Sequence, residues 1–188
     1  MKKDVAAAAN PSTYKMDYFK ILGVEKKFDL DEAILEKNYL LLQNRFHPDR
    51  QVSASKNERI ILLQKAKDIN AGYETLKSPL ERAEYLMQLN GIKISDRELS
   101  KNVDSKVLYE SMEMRENLEI TKDIEEVKKI ESEVKNKIEK IYLELVNVFR
   151  NDDFKEAMRL LIRGKYLDKF LEECRLHKLK IQKENNAA

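Results

Sequence analysis

Three consecutive residues, His47, Pro48 and Asp49, set an imidazole and a carboxylate on either side of a proline. They follow one amphipathic run and precede another. Proline lacks a backbone N–H and clashes with the preceding helical turn, so the first run must stop here. Asp and Pro also favour bends, which leaves both ionisable side chains displayed on a turn. A carboxylate so placed can cap a local backbone amide. It can also form a charge-assisted hydrogen bond with a cation on another molecule, which is stronger and more directional. Neither group has the companions that catalysis needs. His47 and His177 are the only histidines, and no glycine-rich phosphate loop or nucleophile elbow occurs. The many carboxylates sit at ordinary spacing on helix faces, so the chain is expected not to be an enzyme. Cys174 and His177 lie one turn apart and could supply two metal ligands. A closed zinc site needs four, and there is no second cysteine; a buried thiol, with no metal or other cofactor, is the expectation.

The elements that position these residues are helical. Of 188 residues 37% are charged, with only 4 glycines and 3 prolines, too little punctuation for strands and tight turns. Lys plus Arg (36) nearly balance Asp plus Glu (34), and tryptophan is absent. Nucleic acid is therefore not expected as a partner. No apolar run approaches the ~20 residues that cross a bilayer. The first residues have neither a signal-type apolar core nor the Arg-rich character of a presequence. A lone cysteine fits a reducing compartment. The reading is a soluble, cytoplasmic, monomeric protein with no membrane partner.

Residues 1–15 and 183–188 read as loose tails. Order is expected to begin with a short helix around Tyr18 and Phe19, ended by Gly23 as C-cap. A second helix is expected to start from Asp29, three residues before Glu32 in a capping-box arrangement, with Leu35, Tyr39, Leu42 and Phe46 on one face. After the bend, Leu62, Ala66, Ile69, Tyr73 and Leu76 form the stripe of a third helix that stops at Ser78-Pro79. Two antiparallel helices with complementary stripes and a short helix across them make a compact unit over residues 16–79. Residues 80–103 read as a connector, helical at first and turning at Asn90-Gly91. Residues 104–182 hold three further helical segments, with breaks before Asp123 and at residues 151–153, and read as a three-helix bundle. Gly164 inside the last segment costs about 1 kcal/mol relative to alanine, so a close approach by a neighbour is expected there.

The first helix of that bundle carries more apolar surface than folding requires. At 100° per residue, Val107, Met114 and Leu118 share one side. Leu108, Tyr109, Met112, Glu113 and Glu116 share another arc, about 140° wide. One helix of a three-helix bundle needs a single buried stripe. The second patch, apolar and edged by carboxylates, is either a protein-binding surface or a contact with the first unit or the connector.

Asp17-Tyr18-Phe19, the Ile21-Leu22-Gly23-Val24 run, His47-Pro48-Asp49, and Asn70, Tyr73 and Leu76 together resemble a J-domain. That resemblance implies docking on a DnaK-type chaperone, with stimulation of its ATP hydrolysis through His47, Pro48 and Asp49. Lys37, Arg45, Arg50 and Asn70 are the polar companions expected at the contact. Leu40 and Leu41 depart from the family pattern, in which lysine or arginine is common at these positions. Either the second helix has a broader buried face, or the contact is less electrostatic and the partner more specialised. Beyond the J-domain, Pro79-Leu80 with Arg82-Ala83-Glu84-Tyr85-Leu86, Glu113-Met114-Arg115-Glu116, and Tyr166-Leu167-Asp168-Lys169 resemble the HscB family of co-chaperones for iron–sulfur cluster assembly. The resemblance implies an all-α protein: a J-domain, a connector and a C-terminal bundle that holds the scaffold protein IscU and presents it to the chaperone HscA. It places the IscU surface at Leu108, Tyr109, Met112, Glu113, Arg115, Glu116 and Tyr166. The competing expectations are a general J-domain co-chaperone for unfolded clients and a structural helical protein with an incidental tripeptide.

Overall fold

The computed structural model describes residues 17–46 and 55–187, and within them the chain is all-α. The eight helices of these residues are α1 (Tyr18–Leu22), α2 (Glu32–Phe46), α3 (Lys56–Lys77), α4 (Pro79–Leu89), α5 (Asp96–Lys101), α6 (Ser105–Ile120), α7 (Ile124–Arg150) and α8 (Phe154–Ala187). They fall into two units. Of the described residues, 17–26, 30–46 and 55–76 make up the first; 27–29 and 77–187 make up the second. The expected tail at residues 1–15 lies outside the described residues. None of the helices is long and apolar enough to cross a membrane.

In the first unit, Asp17 caps α1 by accepting from the amides of Phe19 and Lys20 at 3.1 and 3.4 Å. Gly23 ends it with φ of 63°, a left-handed conformation that costs glycine nothing. Phe19 and Leu22 are buried, as are Leu35 of α2 and Leu62, Ile69, Tyr73 and Leu76 of α3. The Tyr39 and Tyr73 rings stack with centroids 3.9 Å apart. Asn38 Nδ2 donates to the Leu22 and Gly23 carbonyls at 2.9 and 3.2 Å, satisfying acceptors that the end of α1 leaves orphaned.

The start of α2 corrects the capping expectation. Asp31, not Asp29, holds its first turn, accepting from Ala33 and Ile34 at 3.0 and 3.1 Å. Asp29 belongs to the second unit, where its carboxylate meets Arg150 at 2.9 Å. Its neighbour Phe28 is buried there against Phe149 and Tyr142. With that aromatic buried, residues 27–29 bend through the second unit and the helix starts only at Glu32. In α3 the capping box is Ser55 with Glu58: the Ser55 amide donates to Glu58 at 2.8 Å and the Glu58 amide to Ser55 Oγ at 3.4 Å.

The second unit is built on α8, against which α4, α6 and α7 all pack. Val127, Val134, Ile141 and Leu145 of α7 face Ala157, Leu161, Leu167, Phe170 and Cys174 of α8 in the core. Ion pairs between residues 104 and 159, 110 and 163, and 115 and 173 show α6 running parallel to α8. Helix α4, within the stretch read as a connector, begins with Pro79 behind the Ser78 cap and buries Arg82, Ala83, Tyr85, Leu86 and Met87 in this unit. The close approach expected at Gly164 is that of Leu80: a Cβ on Gly164 would stand 2.5 Å from Leu80 Cδ2. Alongside, Lys165 bridges Glu84 and, at 3.6 Å, Glu81. Burial opposes the Lys165 ammonium, but the hydrogen bond and charge of Glu84, with the charge of Glu81, outweigh it and raise the pKa. Residues 183–187, read as a tail, continue α8. No glycine or proline interrupts the chain after Gly164, and buried Ile181 anchors the last turns.

Candidate partner-binding surfaces

His47, Pro48, Asp49 and Arg50 lie outside the described residues. What the structure places is the helix leading to them. Phe46, the last residue of α2, is half-buried, with the Arg45 guanidinium carbon 5.6 Å and Lys65 Nζ 5.2 Å from its ring centroid. Such cation–π contacts contribute about 0.5–1 kcal/mol at exposed sites. Lys37, Arg45 and Asn70 are all exposed. Leu40 and Leu41 are 47% and 60% exposed, so a broader buried face does not account for them. Ile34 on α2 and Ile60, Ile61 and Leu63 at the start of α3 are exposed as well. Sequence reasoning passed over these four, because short apolar runs read as core until the helix phase is fixed.

Helix α6 sorts its residues as the helical phase requires. Ser111 and Leu118 are buried and Val107 and Met114 half-buried on the inner side. Opposite them, Tyr109 is 71% and Met112 61% exposed, and Leu108, Glu113 and Glu116 are exposed too. Within the second unit the arc is therefore left uncovered by packing. Ile120, 77% exposed, continues the line at the C-terminal end of α6. It falls in phase with Tyr109 eleven residues earlier, a signal the shorter window missed.

Arg115 stands at the edge of this arc, next in phase to Leu108, and is half-buried. Its Nε and Nη2 form a two-pronged bond with Glu173 of α8 at 2.8 and 3.0 Å, while Nη1 reaches the Ser111 carbonyl at 3.4 Å and the Ser111 hydroxyl. The Glu173 hydrogen bond raises the Arg115 pKa against a smaller opposing effect of burial. On the other edge of α6, Glu110 accepts from Arg163 at 3.2 Å. Tyr166 is half-buried; helical phase puts it on the same side of α8 as Arg163 and Glu173. Near the bundle end, His177 Nε2 lies 2.7 Å from the Thr121 carbonyl. Cys174 is fully buried, and desolvation, helped by the Glu131 charge, pushes its thiol up to about 11.

A short capped helix packed on α2, with α3 stacked on α2 through Tyr39 and Tyr73, is the arrangement of a J-domain protein, and residues 17–85 match the family model of the DnaJ domain. Residues 103–175 match a second model, described as the HSCB C-terminal oligomerisation domain. The chain is 43% identical over 101 residues to the co-chaperone protein HscB homolog of Vibrio cholerae, an alignment that covers 54% of this chain and 58% of that relative's length. It is 32% identical over 163 residues to the iron–sulfur cluster co-chaperone protein HscB homolog of Arabidopsis thaliana, covering 87% of this chain and 64% of the relative. The crystal structure of human co-chaperone protein HscB superposes with a TM-score of 0.82 at 32% identity, covering 92% of this chain and 86% of the human one. The chain belongs to the HscB family of J-domain co-chaperones.

Proposed function

We propose that this protein is a co-chaperone of iron–sulfur cluster biogenesis, acting in the bacterial cytoplasm between a DnaK-type chaperone of the HscA kind and the scaffold IscU. His47, Pro48 and Asp49, with Lys37, Arg45, Arg50 and Asn70, engage the chaperone and stimulate its ATPase. Asp49 forms a charge-assisted bond with a chaperone cation. Exposed Leu40 and Leu41 add an apolar component to that contact. Leu108, Tyr109, Met112, Glu113 and Glu116 receive the scaffold, with Tyr166 beside them. The observation that carries this reading is the exposed arc of α6, which contributes nothing to the bundle core. Adaptable Met and Tyr anchors ringed by carboxylates suit a folded protein partner. Carrying scaffold and J-domain on one chain makes the client's meeting with the chaperone intramolecular, which raises its effective concentration. The ATP chemistry belongs to the partner.

The test is the ATPase rate of HscA with this protein, IscU or both. Synergy is expected only with both present. Asp49→Asn removes a hydrogen bond to a charged group and should weaken stimulation roughly 10- to 100-fold, with thermal stability unchanged. Tyr109→Ala with Met112→Ala should abolish the synergy and leave the basal stimulation. Unaltered stimulation by Asp49→Asn, or full synergy from the Tyr109, Met112 variant, overturns the reading; stimulation by unfolded polypeptides in place of IscU would favour a general co-chaperone.

A further inference from the structure

We infer that Arg115 and Glu173 form a clamp that sets the rotation of α6, so that Arg115 supports scaffold binding from the edge of the surface, its guanidinium committed to Glu173 and not to the scaffold. This rests on the reading of α6 as the scaffold-binding helix. Four observations carry it. First, α6 is thinly attached: only Ser111 and Leu118 are fully buried along its 16 residues. So narrow a stripe fixes the depth of a helix better than its rotation. Second, Arg115 stands at the seam between the buried stripe and the arc, about 40° of helical phase from Ser111 and about 20° from Leu108, and its planar fork is already filled by the two Glu173 oxygens at 2.8 and 3.0 Å. A guanidinium held by two parallel bonds has a defined plane as well as a position. Third, its remaining nitrogen bonds the Ser111 carbonyl and hydroxyl. The same side chain thereby satisfies the buried polar residue under α6, where an unpaired hydroxyl would be costly. Fourth, the opposite edge is closed by Glu110 with Arg163 at 3.2 Å. With both edges tied to α8, the arc carrying Leu108, Tyr109, Met112, Glu113 and Glu116 is left one outward direction.

Glu173 lies on α8, off the arc, and provides the test. Purified full-length protein is titrated with IscU in calorimetry, with amide hydrogen exchange of residues 105–120 followed in parallel. Glu173→Gln should weaken IscU binding roughly tenfold and speed exchange along α6, with α7 unaffected. Arg115→Lys should do the same, because a point charge cannot hold the fork. Combining the two should add little to either. The exchanged pair, Arg115→Glu with Glu173→Arg, should recover most of the lost affinity. Wild-type binding and wild-type α6 exchange in Glu173→Gln, with weakened binding in Arg115→Lys, would overturn the clamp and make Arg115 a direct contact. Tyr109→Ala with Met112→Ala separates the two levels. If that variant binds IscU normally, the scaffold-binding reading fails and takes the clamp's role with it. If it loses binding while Glu173→Gln does not, only the clamp fails.

Discussion

Helix α7 buries Val127, Val134, Ile141 and Leu145 in one line and exposes Leu143, whereas α6 completely buries only Ser111 and Leu118 and leaves Leu108, Tyr109, Met112 and Ile120 in solvent. Both lie against α8 in the same bundle. The apolar residues of α7 recur at spacings of seven, seven and four, which keeps them on one face. Those of α6 divide between two faces, and the inner share is too thin to hold it as firmly, so ion pairs along both edges supplement it. A helix that only supports the fold can spend all its apolar residues inward. One that also presents a surface cannot, and polar fastenings take over part of the attachment.

The contrast can be broken at its strong end first. Leu145→Ala opens a cavity in the line of α7 and should cost about 2–5 kcal/mol, read as a fall in denaturant midpoint with unchanged slope. A loss below that of an ordinary surface change would mean that α7 is not the supporting helix. Next is Gly164, where α8 lets Leu80 of α4 approach. Gly164→Val drives side-chain carbons into Leu80 and should cost about 1–3 kcal/mol by overpacking. Gly164→Ala, which gains about 1 kcal/mol of helix propensity and meets only the movable end of Leu80, should stay near wild type; thermal melts of both variants compare them. Smallest is Tyr109→Ala, expected to shift stability by less than about 0.5 kcal/mol, as for a surface position. A larger loss in the melt would show that the α6 arc serves the fold after all, and would erase its difference from α7.

Much of this architecture was legible because helices announce themselves by phase and punctuation. Gly23 ends α1 as its type and position suggest, the helices of the second unit start and stop at the breaks expected before Asp123 and at residues 151–153, and the inner stripe of α3 is where its periodicity puts it. The α6 arc was legible for the same reason, since phase alone separates Val107 and Leu118 from Tyr109 and Met112. What escaped depends on contacts between residues distant along the chain. Nothing near Asp29 reveals that Phe28 packs on Phe149 and Tyr142, yet with Phe28 so placed the cap of α2 falls to Asp31. Nothing near Arg115 points 58 residues ahead to Glu173, so local pattern could not separate a side chain aimed at a partner from one aimed at α8. Leu80 at Gly164 lies between these cases: glycine's cost signals an approach without naming the neighbour.

Because α4, α6 and α7 each pack on α8, the order of synthesis bears on how the second unit comes together. Their inner faces leave the ribosome first, and the surface that covers them is the last made. Between the end of α4 at Leu89 and that of α8 at Ala187, translation at ~5–20 residues per second takes on the order of 5–20 s. Until α8 is made, the faces of α4, α6 and α7 that pack on it lack their final neighbours. A ribosome that stops before α8 is made therefore leaves three earlier helices without the surface on which they pack.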